Sequence, residues 1–536
     1  MCGIWCCVGP ATPLAEKCLS TLRPRGPEGL QIVDMSGCTL GFTRLAINGL
    51  NDAGMQPMQR GPISWVCNGE IYNWKELASQ YGLENRSGSD CEILGELYET
   101  FCRLDIPLVE LFRSLDGVFA IIIADQRLGR TIVARDPYGV RPLYTGAEGG
   151  RRFFGSELKS LLPVCDSIEA FLPGYFQVLS GQDLTEYAYH TVPFLKNPHL
   201  NDATRAAEAV CYTLTSAVQK RLLTERPVAA LLSGGLDSSL IAALVSKELR
   251  KAGAPPLETY SIGMKGSQDL FYAKKVADWI GSKHTEIVMT ADDFFAAIPA
   301  VIRDIESFDT TTVRASVGNW LVGKYISEQS EAKVVFNGDG SDEIWGSYLY
   351  FFNAPSDHAY EAEVTRLLED IHMFDVLRSD RCISSHGLEP RTPFLDKQFV
   401  SVARAVSTDL RRPLKHGIPE KWLMRMAFDN GLLPNEVLWR KKEAFSDGVS
   451  GTERSWYEIA QEKAAIKMTG IDYPDMTAEK AYYRIIYQDT FGENAMAVNV
   501  PYFWMPRWTP GATDPSARTL TDLDVGLPCS RPERRD

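Results

Sequence analysis

At 536 residues, 45% of them hydrophobic and 23% charged, the chain has the composition of a folded soluble protein and is too long for one ordinary core, so two or three domains are expected. A formal net charge of -13 argues against a nucleic-acid partner held through its phosphates, though not against a local basic pocket for a nucleotide. The N-terminus lacks a signal peptide's basic-then-apolar pattern, and the longest apolar run, residues 118–124, has the length of a buried strand and not of a membrane span. A cytosolic protein with no membrane partner is the expectation, and its twelve cysteines are then free thiols. Neither Cys-x-x-Cys nor His-Glu-x-x-His occurs, which argues against a zinc site.

The chain opens Met1-Cys2-Gly3-Ile4-Trp5. Trimming of the methionine would leave Cys2 carrying both a thiol and a free α-amine, groups that ordinarily titrate near roughly 8.5 and 8. Such a residue is a nucleophile with its base built in. From here to about residue 185, short β-rich runs (41–47, 63–67, 117–125, 131–135) alternate with Gly/Pro turns, and helical periodicity appears at 91–98. Hairpins with interspersed helices predict an α+β layered domain. Three polar clusters sit at the strand ends: Arg44, Asn68-Gly69-Glu70 and Ser89-Asp90. The Asn68 amide and the Gly69 N–H could hold a developing oxyanion. Arg44 could bind the carboxylate of a free amino acid bidentately, and Asp90 its ammonium. Asn68-Gly69 also suits a hairpin turn, so both readings stand.

The strings Met1-Cys2-Gly3-Ile4, Arg25-Gly26-Pro27, Arg44-Leu45-Ala46, Asn68-Gly69-Glu70-Ile71-Tyr72-Asn73, Leu115-Asp116-Gly117-Val118-Phe119-Ala120 and Arg135-Asp136-Pro137-Tyr138-Gly139-Val140-Arg141 resemble the class II glutamine amidotransferase domain. The resemblance implies an N-terminal-nucleophile αββα sandwich over residues 2–185. It also implies Cys2 as the residue that hydrolyses glutamine to glutamate and ammonia. Asn68 and Gly69 would assist, and glutamine would be bound by Arg44, Leu45, Ala46, Ile47, Asn48, Asn68, Gly69, Glu70 and Asp90. The family's Arg-Gly-Pro-Asp reads Arg-Gly-Pro-Glu here, which bears on the loop around Glu28.

A polar linker with Pro193, Asn197 and Pro198 follows, and then the pattern becomes strand–loop–helix. The strand 228–232 leads into Ser233-Gly234-Gly235-Leu236-Asp237-Ser238-Ser239 and a helix at about 240–249. Small residues, hydroxyls and a helix N-terminus make that loop suited to pyrophosphate. No Gly-Lys-Ser/Thr closes it, so it is not a Walker loop. A strand at 258–262 precedes a helix near 270–280, and a strand at 333–336 ends in Asn337-Gly338-Asp339-Gly340-Ser341-Asp342-Glu343. Repeated βα units predict a doubly wound parallel sheet, with both loops facing one crevice beyond the strand C-termini. Asp237 and Asp342 are then candidate Mg²⁺ ligands, or helix N-caps, or both.

These loops, together with Thr310-Thr311-Thr312-Val313-Arg314, Phe374-Asp375-Val376-Leu377-Arg378, Pro393-Phe394-Leu395-Asp396, Trp439-Arg440-Lys441-Lys442-Glu443 and Ala512-Thr513-Asp514-Pro515-Ser516, resemble the asparagine synthetase family, and its animal-type members in particular. The resemblance implies an α/β ATP-pyrophosphatase domain over 200–520; residues 521–536 read as a disordered tail. It implies ATP and Mg²⁺ as cofactors, with L-glutamine and L-aspartate as substrates. Leu231, Ser233, Gly234, Gly235, Asp237, Ser238, Ile262, Asn337, Gly338 and Lys442 would bind ATP. Thr311, Arg314 and Asp339 would serve aspartate or its adenylate. The implied reaction makes β-aspartyl-AMP, and ammonia channelled from glutamine then displaces AMP. A second copy as homodimer partner is left open. A β-lactam-forming adenylating relative and a regulatory, non-catalytic relative are the rival readings. The family's Ser-Gly-Glu-Gly-Ser-Asp-Glu loop carries Asn337 and Asp339 here, the latter one methylene shorter. Pro390 and Thr392 also depart from the family string.

Overall fold

A computed structural model describes residues 1–412, 419–440, 448–450, 454–474, 476–492, 495, 502–510 and 514. The expected tail at 521–536 lies outside them. In the first half, two six-stranded antiparallel sheets stack face to face. One sheet runs, in spatial order, Ile168–Ala170, Tyr144–Glu148, Arg151–Gly155, Gly3–Val8, Cys38–Arg44 and Gly29–Met35. The other runs Asp183–Ala188, Tyr175–Ser180, Arg130–Arg135, Gly117–Asp125, Ile63–Ile71 and Met58–Arg60.

The apolar run at 118–124 is continuous because both of its faces are covered. Ala120, Ile122 and Ala124 pack between the sheets with Ile4, Phe42 and Val66. Phe119, Ile121 and Ile123 pack outward with Leu94, Leu97 and Phe101 of the helix Ile93–Arg103. Two sequence expectations change here. The strand expected at 41–47 ends at Arg44, because Leu45 and Ala46 turn their main chain to the Cys2 thiol and to Glu28. Asn68-Gly69 is no turn; it lies within Ile63–Ile71, opposite Ala120 and Phe119.

The second half carries a five-stranded parallel sheet in the order Lys283–Val288, Glu258–Gly263, Val228–Leu231, Val334–Phe336, Glu389–Arg391. Helices cover both faces. Ala230 and Phe336 pack with Leu240 and Leu244 of Leu236–Lys251. Ala229 and Val335 pack with Ile298 and Val317, from Ala291–Ile305 and Thr310–Gln329. Strand order reverses between Val228–Leu231 and Val334–Phe336. That switch point puts the 233 and 337 loops side by side, where ligands of such sheets bind. No helix among the described residues is long and apolar enough to cross a membrane.

The two halves meet across buried charge. Arg25 donates to Glu157 and Asp380, each at 2.7 Å, and to Ser384 at 2.9 Å. Arg381 reaches Glu306 at 3.0 Å and Glu157 at 3.1 Å. Every charged group in that set is 3% exposed or less. The linker is pinned as well: Lys196 Nζ donates to Glu361 at 2.7 Å and to Arg404 O and Val406 O at 3.0 Å. Asp380→Asn leaves Arg25 short of a counter-charge in a place water cannot reach. Denaturant unfolding is expected to show a loss of about 3–5 kcal/mol; a loss below about 1 kcal/mol would mean the seam relaxes.

Candidate active sites

The first site lies at the start of the strand Gly3–Val8. The Cys2 thiol donates to Leu45 O and accepts from Leu45 N–H, both at 3.4 Å. Burial pushes that thiol up to about 11, against the pull of the terminal amine. With Met1 in place that amine is Met1's own. Burial drives it down to about 5, and it donates to Leu388 O at 2.9 Å. The single-residue pairing of thiol and base therefore requires removal of Met1.

The strand Ile63–Ile71 carries an unsatisfied amide. Asn68 is fully buried, and neither Nδ2 nor Oδ1 has a hydrogen-bond partner among the described residues. A buried amide without partners is costly unless a ligand completes it. Cys67 N–H donates to Gln56 Oε1 at 2.6 Å and Ile71 N–H to Asp90 Oδ2 at 2.7 Å. Alternate residues of a strand point the same way, so Gly69 N–H faces that same edge. Glycine is required at 69, since a Cβ there would sit 2.2 Å from Val118 O.

The charged groups expected to hold an amino acid are all present. Burial raises Asp90 to about 6, with the Ile71 N–H pulling the other way. Glu70 is held well above the usual carboxylate range by burial and by Asp90, and it accepts from Asn48 Nδ2 at 2.7 Å. Arg44 differs from expectation. Its Nη2 donates to Gly49 O at 2.6 Å and to Asn51 O at 2.9 Å. Each two-donor edge of the guanidinium includes Nη2, so Arg44 folds the 44–51 loop and offers substrate single donors in place of a fork. Ala46 also turns away from the thiol: its N–H donates to Glu28 at 2.7 Å and its carbonyl accepts from Arg226 at 2.8 Å. Ile47 O accepts from Glu225 N–H at 3.0 Å.

The second site is a cavity of about 290 Å³ at the switch point of the parallel sheet. Leu231, Ile262 and the loop residues Ser233, Gly235, Asp237 and Ser238 line one side. Asn337, Gly338, Asp339 and Asp342 line another, and Thr311 and Arg314 complete it. Gly234 lies behind the loop with φ +74, where a Cβ would meet Ala273 N at 2.4 Å. The two loops touch: a Cβ on Gly338 would sit 2.7 Å from Ser238 N, and Ser341 Oγ donates to Asp237 at 2.8 Å. Thr311 Oγ1 is buried without a partner among the described residues. Arg314 is more engaged than expected. Its Nε donates to Glu479 at 2.8 Å and its Nη1 to Asp514 at 3.0 Å. Burial, with Asp375 adding, raises Asp339 to about 7, while Arg378 pulls it down. Lys442 lies outside the described residues.

Sequence reasoning misses Lys421, which no spacing pattern marks. Its side chain is 2% exposed, and Nζ lies 2.6 Å from Asp237 and 2.5 Å from Asp342. Two hard oxygens, one from each loop, thus converge on a single cation. That donor set fits Mg²⁺ completed by phosphate oxygens and water. Sequence reasoning also misses Arg440, which donates to Gly234 O at 3.1 Å and to Asp269 at 3.2 Å and so braces the loop after Val228–Leu231 from behind.

Comparison with known proteins covers both halves of the chain. The family described as glutamine amidotransferase domain matches residues 1–210, and that described as asparagine synthase matches 209–366 and 353–479. The asparagine synthetase [glutamine-hydrolyzing] of Bos taurus is 40% identical over 97% of this chain and 99% of its own. Those of Gallus gallus and Homo sapiens are 40% and 39% identical, each over 97% of this chain.

Gly234→Ala forces the phosphate loop off its tight turn, a shift of the order of 1 Å. ATP-dependent pyrophosphate release is expected to fall about a hundredfold, and the thermal midpoint is expected to fall with it, because alanine at this φ is strained against Ala273 N. Release within about threefold of the parent would show that the loop tolerates a side chain.

Proposed function

The chain belongs to the glutamine-hydrolysing asparagine synthetases, and from that membership we propose how its residues divide the reaction between two sites. The protein is an ATP-dependent carbon–nitrogen ligase with glutamine as amide donor. It turns L-aspartate, L-glutamine, ATP and water into L-asparagine, L-glutamate, AMP and diphosphate.

At the first site Cys2, freed of Met1, attacks the glutamine amide carbon, and its own α-amine takes the thiol proton. Asn68 Nδ2 and Gly69 N–H hold the oxyanion. Asp90 holds the substrate ammonium, and Arg44 contributes single donors to the carboxylate. Ammonia leaves, and water releases glutamate from the thioester. The buried Asn68 amide, left without a partner among the described residues, is the observation that supports this assignment.

At the second site the β-carboxylate of aspartate attacks the α-phosphorus of ATP and diphosphate departs. Leu231 and Ile262 flank the base; Ser233, Gly235, Ser238, Asn337 and Gly338 line the phosphate path; Lys421 neutralises phosphate charge beside the expected Lys442. Asp237 and Asp342 would hold Mg²⁺, which when bound screens the negative charge of the triphosphate. Thr311 offers its unpaired hydroxyl to the acyl intermediate. Ammonia then attacks the acyl carbon and AMP leaves. Asp339, raised to about 7, is matched to accept the proton that the attacking nitrogen must lose. Free thiols throughout the described cysteines suit a cytosolic setting.

Amide-¹⁵N glutamine, aspartate and MgATP are expected to give labelled asparagine and pyrophosphate in equal amounts; no asparagine with either nitrogen source would overturn the reading. Cys2→Ala is expected to lose glutamine use while keeping ammonia-dependent synthesis, and retained glutaminase activity would remove Cys2 from its role. A carboxyl raised to about 6 is neutral below that pH and releases the substrate ammonium. Glutaminase kcat/KM should therefore fall about tenfold per pH unit below about 6, and Asp90→Asn should be slow and flat over the same range.

A further inference from the structure

The loop 44–49 beside the thiol is held from outside its own domain. Arg226 Nε donates to Ala46 O at 2.8 Å, and Glu225 N–H donates to Ile47 O at 3.0 Å. Gly49 N–H donates to Glu225 Oε1 at 2.7 Å. Glu28 closes the set: Oε2 accepts from Ala46 N–H and Oε1 from Arg226 Nη2, at 2.7 and 2.8 Å. The loop leaves its sheet at Arg44, so these bonds fix its course together with the Arg44 staple, the Leu45 bonds to the Cys2 thiol and the Asn48 bond to Glu70. Residues 225 and 226 are themselves fixed. Arg226 N–H donates to Thr224 Oγ1 at 2.9 Å, and Arg391 holds Leu223 O at 2.8 Å. Two residues on, the central strand Val228–Leu231 begins, and it ends at the Ser233 phosphate loop.

We propose that Glu225 and Arg226 are positioning residues for the glutamine site, setting the 44–49 loop in register with the strand that carries the ATP loop. The proposal rests on the reading that this loop binds glutamine. It also gives the Glu28 departure a physical role, because that carboxylate spans a backbone N–H of the loop and the Arg226 guanidinium. Neither Glu225 nor Arg226 touches a reacting atom. Their loss should misplace the loop and weaken glutamine binding while leaving adenylation and ammonia use alone.

The test measures Arg226→Met, Glu225→Ala and Glu225→Gln with glutamine and, separately, with ammonia. Loss of these bonds should raise the KM for glutamine about tenfold in the first two variants. Glu225→Gln keeps an oxygen to accept from Gly49 N–H and should stay within about threefold of the parent. Ammonia-dependent kcat and the KM values for ATP and aspartate should be unchanged in all three. An unchanged glutamine KM in both truncations, with ammonia-dependent synthesis intact, would overturn the proposal. So would parallel loss of ammonia- and glutamine-dependent kcat in both, since that is the signature of a merely structural role. A parent protein that makes asparagine from ammonia but not from glutamine would instead remove the glutamine reading of the loop, and this proposal with it.

Discussion

Buried arginine governs this molecule. Arg25, Arg141, Arg381 and Arg391 are each 1% exposed or less, and an isolated cation at such a place costs several kcal/mol. What makes them tolerable is that each has at least one counter-charge on the far side of the joint between the halves. Arg25, from the first half, ends on Asp380; Arg391, from the second, lies 3.4 Å from Glu70. Arg381 sits between Glu306 and Glu157. Arg25, Arg381 and Arg391 also pair within their own half, with Glu157, Glu306 and Glu389, so the seam knits two buried charge clusters into one. It fixes the relative position of the halves more tightly than apolar packing, which tolerates sliding.

The consequences run outward from the seam to both sites. The first strand enters the sheet at Cys2, and Glu389, the first residue of the edge strand of the parallel sheet, lies close enough for its charge to act on the Cys2 thiol. Asn337, at the start of the second ligand loop, donates its main-chain N–H to Arg391 O at 3.1 Å, and Arg391 faces Glu70 beside the thiol. A single short strand therefore has one end against the nucleophile and the other against the loop of the nucleotide cavity. Two chemistries that share an unstable product are held at a set distance with no reliance on a flexible tether.

How far the sequence reveals this depends on the range of the forces involved. The strand Gly117–Asp125 is readable to the residue, since the seven-residue apolar run 118–124, rich in β-branched residues and bounded by Gly117 and Asp125, has the length and composition of a strand covered on both faces. The 233 and 337 loops are readable because glycine, serine and aspartate at fixed spacing are a local signal. Gly234, at φ +74 with Ala273 N pressed against it, has no alternative. The strand expected at 41–47 stops three residues early because its last residues obey contacts made by Cys2, Glu28 and Arg226, all distant in sequence. Lys421 is invisible for the same reason: an isolated lysine carries no pattern, and its meaning comes from two aspartates that are 184 and 79 positions away. The occupied fork of Arg44 is also unreadable, because its acceptors are loop carbonyls whose direction only the fold decides.

The same burial that makes the seam necessary tunes the acids in both sites. Asp90 at about 6 and Asp339 at about 7 are raised chiefly by desolvation, not by contact with one strong partner. Ammonia is a nucleophile only while it lacks its fourth proton, and in open water near neutral pH it is mostly ammonium. On the proposed division of the reaction, a dry route would remove the proton source along the way, and a carboxylate poised near 7, as Asp339 is, would supply the acceptor at the end. An ordinary surface aspartate, near 4, would be too weak a base to draw the proton from the adduct efficiently. Shortening the family's glutamate to Asp339 therefore leaves the acidity in the useful range. What it alters is reach, by one methylene, in a cavity whose two loops already touch through Gly338 and Ser238.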